Sequence, residues 1–400
     1  MRIFCKRRPV VSRRLAALLL VPALGVIGAC GSSAISTTSA GAAAAAGGAG
    51  LPANVQLPVI EDLTGPAGFA GLDTQQGQRV AIQQINSTRF LGSTTLSLKY
   101  IDTQTEPQIA AEAASTAVNS SAPLAFGPVD ATVSLAMAPI VQRGKLPTIF
   151  TQSGGPGVNA GDYTYIATTP GQELIDRTLG AYLKAKGVRT LAIISNTDNP
   201  AAVQTAQTLV EFCTQNGIKT VSAADVPSTT TDFTAIASKA VSAKPAAVYL
   251  LLFGSQNVTA IRQLRADGYT GMIVGTDGLA GGVLTPLGSA ANGVVYFTDY
   301  TAGLTGAVNK TFTSLYAKMY GAGQPSAYAA EGYDAVWFAA RALKLANSTD
   351  RPKVLAALES VATTGFEGTA GNITFKDRIE QAPGVLVMWE NGKETLLKTP

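Results

Sequence analysis

The chain has 400 residues, of which 46% are hydrophobic and 14% charged, with a formal net charge of +4. Six basic residues and no acid fall within the first 14 positions; the rest of the chain carries 24 basic against 26 acidic residues, so it is near neutral and offers no electrostatic case for nucleic acid. Histidine is absent and there are only three cysteines, which removes the usual general base, the usual triad member, the commonest zinc ligand and any disulfide framework. No enzymatic activity, cofactor or metal is expected.

Residues 1–29 read as an export signal: Arg2, Lys6, Arg7, Arg8, Arg13 and Arg14 precede an apolar run from Leu15 to Ile27 that ends in small residues. The run is short for a membrane span, which needs roughly 20 apolar residues, and Pro22 interrupts it. Ile27-Gly28-Ala29-Cys30 resembles a bacterial lipobox, which implies a lipid on Cys30 and a membrane anchor; a plain secretory signal with an incidental cysteine is the competing reading. Arg13-Arg14 alone does not separate the general from the twin-arginine export route. Residues 30–52 follow as a Ser/Thr/Ala/Gly-rich tract, too poor in apolar side chains to offset the entropy of ordering. It predicts a flexible tether with an end-to-end distance of roughly 25 Å.

From Val55 strands and helices alternate. "VQLPVIEDL" reads as a strand, "TGPAGFAGLD" as a glycine-rich turn, and "TQQGQRVAIQQIN" as a helix with Val80, Ala81 and Ile85 on one face. "LSLKYIDTQ", "PLAFGP" and "LPTIFTQ" are strands, separated by the helices "PQIAAEAASTAVNS" and "ATVSLAMAPIVQRG". The alternation restarts after "YTYIATTP", with strands "TLAIISNTDN", "TVSAADV", "AAVYLLLFG" and "MIVGTDG" and helices between them. Val203, Ala206, Leu209, Val210 and Cys213 share one helical face, which makes Cys213 a core thiol. After "VVYFTDY" come helices at about 306–320, 326–346 and 351–362, then the strands "NITF" and "GVLVMWENGKE". Two β-α series predict two α/β lobes with parallel sheets covered on both faces.

This order of elements resembles the type I periplasmic binding proteins, especially the branched-chain amino acid (Leu/Ile/Val) receptors of ABC importers. The resemblance spans Val55 to Lys398 and rests on phrases in the right order: "LTGPAGFAG", "FGPVDATVSLAMAPI", "LPTIFTQSGG", "TTDFTAIASKA", "IRQLRADGYTG" and "EGYDAVWFAARAL". It implies two Rossmann-like lobes joined by a three-stranded hinge, with crossings near Thr168–Gln172, Phe297–Thr301 and Phe375–Lys376. The N-terminal lobe would comprise 53–169 plus 300–374, and the C-terminal lobe 170–299 plus 375–400. The resemblance implies an extracytoplasmic, monomeric, lipid-anchored receptor that closes on a small polar ligand and delivers it to a membrane permease. A ligand sensor without transport is the functional alternative.

In open α/β sheets ligands sit beyond the carboxyl ends of the strands, which points to the loops after "PLAFGP", "LPTIF", "TLAIIS", "AAVYLLL" and "MIVG". The resemblance gives Asp277 the ligand's ammonium, the competing reading being an Asp-Gly turn. It places an aromatic at Phe253, for stacking or for core packing. Relatives carry hydroxyls for the ligand carboxylate at Ala131 and Gly154; both are lost here. Backbone N–H groups of Ala131 and Thr132, and the hydroxyls of Thr132 and Ser153, are the available compensation. Asp130 reads as a helix N-cap. Pro200 replaces a tyrosine of the relatives, and Phe69, in the first loop, covers the ligand or fills the lobe. A branched-chain amino acid is the expected ligand, with an amine, amide or urea-like compound as the alternative.

Overall fold

The computed structural model describes residues 50–397, apart from 155–156, 168–171, 281, 322 and 382. The expected signal, Cys30, the tether up to residue 49 and the first crossing lie outside the described residues. Among those described, no helix is long and apolar enough to cross a membrane.

The chain builds one strand pattern twice. The first sheet takes β1 (Asn54–Glu61), β2 (Thr95–Asp102), β3 (Ala125–Gly127), β4 (Thr148–Thr151) and β5 (Thr164–Ala167) in the order β2-β1-β3-β4-β5, all parallel. The second takes β6 (Thr190–Asn196), β7 (Lys219–Val226), β8 (Ala247–Leu251), β9 (Met272–Gly275) and β10 (Val295–Thr298) in the equivalent order β7-β6-β8-β9-β10. The central strand β8 is buried at every residue, while the edge strand β7 is mostly half-exposed. Sequence composition follows position: a strand covered on both faces is a continuous apolar run.

Seven helices sit in the two β-α series: α1 (Gly68–Ser87), α2 (Pro107–Val118), α3 (Ala131–Arg143), α4 (Gln172–Ala185), α5 (Pro200–Gln215), α6 (Thr234–Ser242) and α7 (Ser255–Ala266). Their starts are legible chemically. Asp130 caps α3 and Asn199 caps α5 by accepting backbone N–H groups, and prolines open α2 and α5 where no intrahelical donor is needed. Three further helices, α8 (Ala307–Tyr320), α9 (Ala327–Ala346) and α10 (Arg351–Thr364), leave the second sheet and join the apolar core of β1 and α1. α1 and α9 lie backbone to backbone. A Cβ on Gly77 would fall 1.7 Å from the Ala329 carbonyl oxygen, and one on Gly332 would fall 2.4 Å from that of Thr74, so each helix needs glycine where it meets the other.

The end of the chain departs from the expected layout. After the hairpin β11 (Phe366–Gly368) and β12 (Gly371–Ile373), β13 (Phe375–Lys376) and β14 (Ile379–Glu380) still belong to the first sheet, where β14 pairs with β5. Only β15 (Val385–Glu390) and β16 (Lys393–Leu396) join the second, β15 antiparallel to β10. The crossing expected at Phe375–Lys376 therefore falls between Glu380 and Val385. Two-residue strands carry too little pattern to read from sequence. The first turn is also shorter than expected: "TGPA" turns and Gly68 already begins α1. Cys213 is buried as expected, but Val210 is exposed, one position around the helix from the packed Leu209.

Candidate functional site

A cavity of about 70 Å³ lies between the lobes, where the carboxyl ends of both sheets face each other. The first lobe contributes Val129, Ala131, Gln152, Gly154 and Tyr328; the second contributes Ile175, Asn199, Thr205, Phe253, Thr276 and Asp277. That is room for a few waters or one small molecule.

In the second lobe one amide fixes two cleft loops. The Asn257 Nδ2 group donates to the Leu252 carbonyl at 2.8 Å and to the Gly278 carbonyl at 2.9 Å. This ties the end of β8, which carries Phe253, to the turn after β9, which carries Asp277. Gly278 is needed for that approach: a Cβ there would sit 2.6 Å from the Leu252 oxygen. The Asp277 carboxyl is pushed up to about 6, chiefly by burial and then by nearby Asp299; hydrogen bonds from Thr276, Gln152 and the Gly278 N–H oppose the shift. No Lys or Arg lines the cavity among the described residues, so the charge of Asp277 is met only by dipoles.

Behind it lies a second acidic pair. Glu331, on α9, and Asp299, just after β10, are both buried and both raised above the ordinary carboxylate range, chiefly by burial, with the Asp299 charge adding to the rise at Glu331. Two neighbouring buried carboxyls disfavour each other's ionisation. Gln152 bridges this pair to the cleft. Its amide donates to Glu331 Oε1 and lies close enough to Asp277 to oppose the rise in its titration, and its backbone holds φ +52°, a conformation that costs free energy in a non-glycine residue.

The first-lobe wall has different chemistry. Glu61 Oε1 accepts the N–H groups of Asp62 and Val129, each at 3.0 Å, and Asp62 accepts the N–H of Asp130 at 2.9 Å and the hydroxyl of Thr103. These bonds hold the loop between β3 and α3. Asp130 then accepts the N–H groups of Thr132 at 2.8 Å and Val133 at 3.1 Å. The positive end of α3 is thus occupied by the chain's own carboxylate.

An aromatic contact closes the cleft from the side. Phe69 meets Phe253 edge-on at 6.0 Å between centroids and Tyr328 at 5.7 Å. The Tyr328 hydroxyl donates across the lobes to the Asp277 carbonyl at 3.1 Å.

Of the seven candidates read from sequence, Asp277, Phe253, Ala131 and Gly154 line the cavity. Phe69 stands in the first turn of α1 rather than in a loop and backs Phe253. Thr132 is exposed; its N–H serves Asp130 and its hydroxyl donates to the Asp198 carbonyl at 3.4 Å. Ser153 is fully buried, its hydroxyl bonded to Ser134 at 2.6 Å and to the Pro128 carbonyl at 2.5 Å. Neither offers the compensating group that was expected. Gln152, Tyr328, Asn257 and the Asp299–Glu331 pair were not anticipated. Glu331 had a signal: acids such as Glu331 and Asp334 inside the mostly apolar "AYAAEGYDAVWFAA" are out of place unless they serve buried polar sites.

Comparison with known proteins agrees with this architecture. A family model described as periplasmic binding protein matches residues 54–393. The Leu/Ile/Val-binding protein homolog 3 of Brucella melitensis biotype 1 is 23% identical over 347 residues, covering 85% of this chain and 93% of that protein. The leucine-binding protein LivK of Thermotoga maritima superposes with a TM-score of 0.79 at 25% identity, covering 86% of this chain and 98% of that one. A solute-binding protein of R. palustris, solved with benzoate, superposes at 0.78 with 19% identity over 86% of this chain and 95% of its own. The chain belongs to the periplasmic binding proteins, a family of extracytoplasmic solute-binding proteins, and has the type I fold of the relatives named above.

Proposed function

We propose that this protein is a membrane-anchored receptor of an ABC importer, held by a lipid on Cys30 and the tether of residues 30–52. It captures a small ligand between the lobes, the hinge closing because the ligand contacts both walls. The ligand presents an N–H-bearing head to Asp277 and rests a short apolar body against Phe253, Ile175 and Leu252. The observation that carries this reading is a half-buried, cation-free carboxylate lining an interlobe cavity, where a charge-assisted N–H bond is strong. A branched-chain amino acid supplies such a head, and the relatives' names favour it. An amine, amide or urea-like compound supplies it equally.

Small-angle scattering tests the capture. A solute bound through Asp277 shrinks the radius of gyration of the wild-type protein and leaves Asp277→Asn unchanged. Contraction to the same degree in Asp277→Asn removes Asp277 from the site. For the anchor, Cys30→Ala should move the protein from the membrane fraction to the soluble extracytoplasmic fraction; unchanged partition rejects the lipid.

A further inference from the structure

We propose that the cleft selects a small nitrogen compound without a carboxylate, an amine or a carboxamide on a short apolar body. This deepens the reading of the cleft as the ligand site and rests on it. A bound carboxylate needs a cation, a hydroxyl or open backbone N–H groups, and the first-lobe wall offers little beyond the Ala131 N–H and the Gln152 amide, which is engaged with Glu331. No lysine or arginine lines the cavity among the described residues. The Thr132 and Val133 N–H groups are taken by Asp130, so the helix end that would attract an anion already holds one. The Ser153 hydroxyl is buried in bonds to Ser134 and Pro128. Ala131 and Gly154, where relatives carry hydroxyls, line the cavity with no polar side chain. An incoming carboxylate would also meet Asp277, with Asp299 and Glu331 close behind it.

The same groups welcome N–H donors. Gln152 shows the fit within the chain itself: its carboxamide donates to Glu331 and lies close enough to Asp277 to favour the ionised carboxylate. A ligand amide or ammonium placed at Asp277 would donate to it from the side where the Gln152 amide lies, and Gln152 keeps its bond to Glu331.

Matched head groups on one alkyl body test this. Thermal shift and calorimetry on the purified protein would compare leucine, 3-methylbutan-1-amine, 4-methylpentanamide and 4-methylpentanoate, and the shorter set alanine, ethylamine, propanamide and propanoate. The amine or amide of one set should bind, with the matching amino acid weaker by about 100-fold or more. Leucine or alanine binding as tightly as its amine overturns the proposal; if Asp277→Asn abolishes that binding, the wider reading of the cleft survives. Binding of a bare carboxylate that ignores Asp277→Asn overturns both. Silence from every amine and amide overturns the proposal, as does a carboxylate-bearing compound found by mass spectrometry of small molecules released from the denatured protein.

Discussion

Both walls of the cleft bury carboxylates, and the two sets do opposite work. In the first lobe Glu61, Asp62 and Asp130 face backbone N–H groups of their own loop and helix. In the second lobe Asp277 faces a cavity, with a side-chain amide as its main partner from the other wall. Burial raises Asp62 to about 7 and Asp277 to about 6, so a displaced titration does not tell a structural acid from a binding one. The partner does. A carboxylate held wholly by groups of its own lobe has its geometry complete; Asp277, held by Thr276 and the Gly278 N–H but also faced by an amide of the other wall, keeps one side a ligand can take.

The largest effect should come from the binding side. Asp277→Ala is expected to weaken an amine ligand by about 100-fold or more, since a charge-assisted bond in a dry site contributes roughly 1.5–3 kcal/mol and the ammonium would be left unpaired. Its thermal midpoint without ligand should not fall, because at pH 7 the ionised carboxylate is strained by burial. Calorimetry and a melting curve on the same sample check both halves. A lower midpoint with unchanged affinity would transfer Asp277 to the structural class.

Asp62→Ala should do the reverse. It strands the buried N–H of Asp130 and the hydroxyl of Thr103, at a cost of about 1–3 kcal/mol in stability. Urea unfolding followed by circular dichroism measures this. Ligand affinity would change only through the loosened β3–α3 loop, so a variant of full stability and no affinity would break the division between the walls.

The division also has a pH signature. Asp277 is raised in the folded protein, so between its ordinary value near 3.8 and about 6 the folded state holds more protons than the unfolded. Its ionisation therefore weakens the fold as pH rises through that window. A cationic ligand prefers the ionised form, so affinity for an amine should climb with pH up to about 6 and then level, by at most about tenfold per unit. The groups facing Asp277 are Asp299 from the hinge, Glu331 and Tyr328 from α9, and the neutral Gln152. An amide ligand should show a flatter profile. An amine whose affinity is constant from pH 4.5 to 7 would mean that it does not meet Asp277.

What the sequence disclosed follows the same physics. The two lobes were legible because alternating apolar runs and amphipathic helices are local patterns, and "AAVYLLLFG" cannot be anything but a covered strand. The second-lobe wall was legible because Asp277 and Phe253 end strands, where the rule for open sheets points. The first-lobe wall was not, because the fate of a hydroxyl depends on neighbours far along the chain. Ser153 is occupied by Ser134 and Pro128, and nothing local distinguishes that from a free serine. Gln152 escaped notice because its partners, Asp277 and Glu331, come from α9 and the second lobe. The last crossing was misplaced for a similar reason: β14 is recognised only by its pairing with β5.

The smallest effect on the fold, and the sharpest on specificity, belongs to Asp130. Asparagine is as good an N-cap as aspartate, so Asp130→Asn should keep the bonds to Thr132 and Val133 and cost only a few tenths of a kcal/mol, part of it from the lost charge at the helix N-terminus. Removing that charge uncovers the positive end of α3 beside Ala131, in the wall that turns carboxylates away. Affinity for an amine should fall slightly, because one attractive charge is gone, while affinity for the matching amino acid should rise. The ratio of the two, measured by calorimetry at one pH, is the quantity to follow, since it is insensitive to small changes in stability. A ratio unmoved by Asp130→Asn would mean that α3 does not set the selection against carboxylates, and that Asp277 and the pair behind it do so alone.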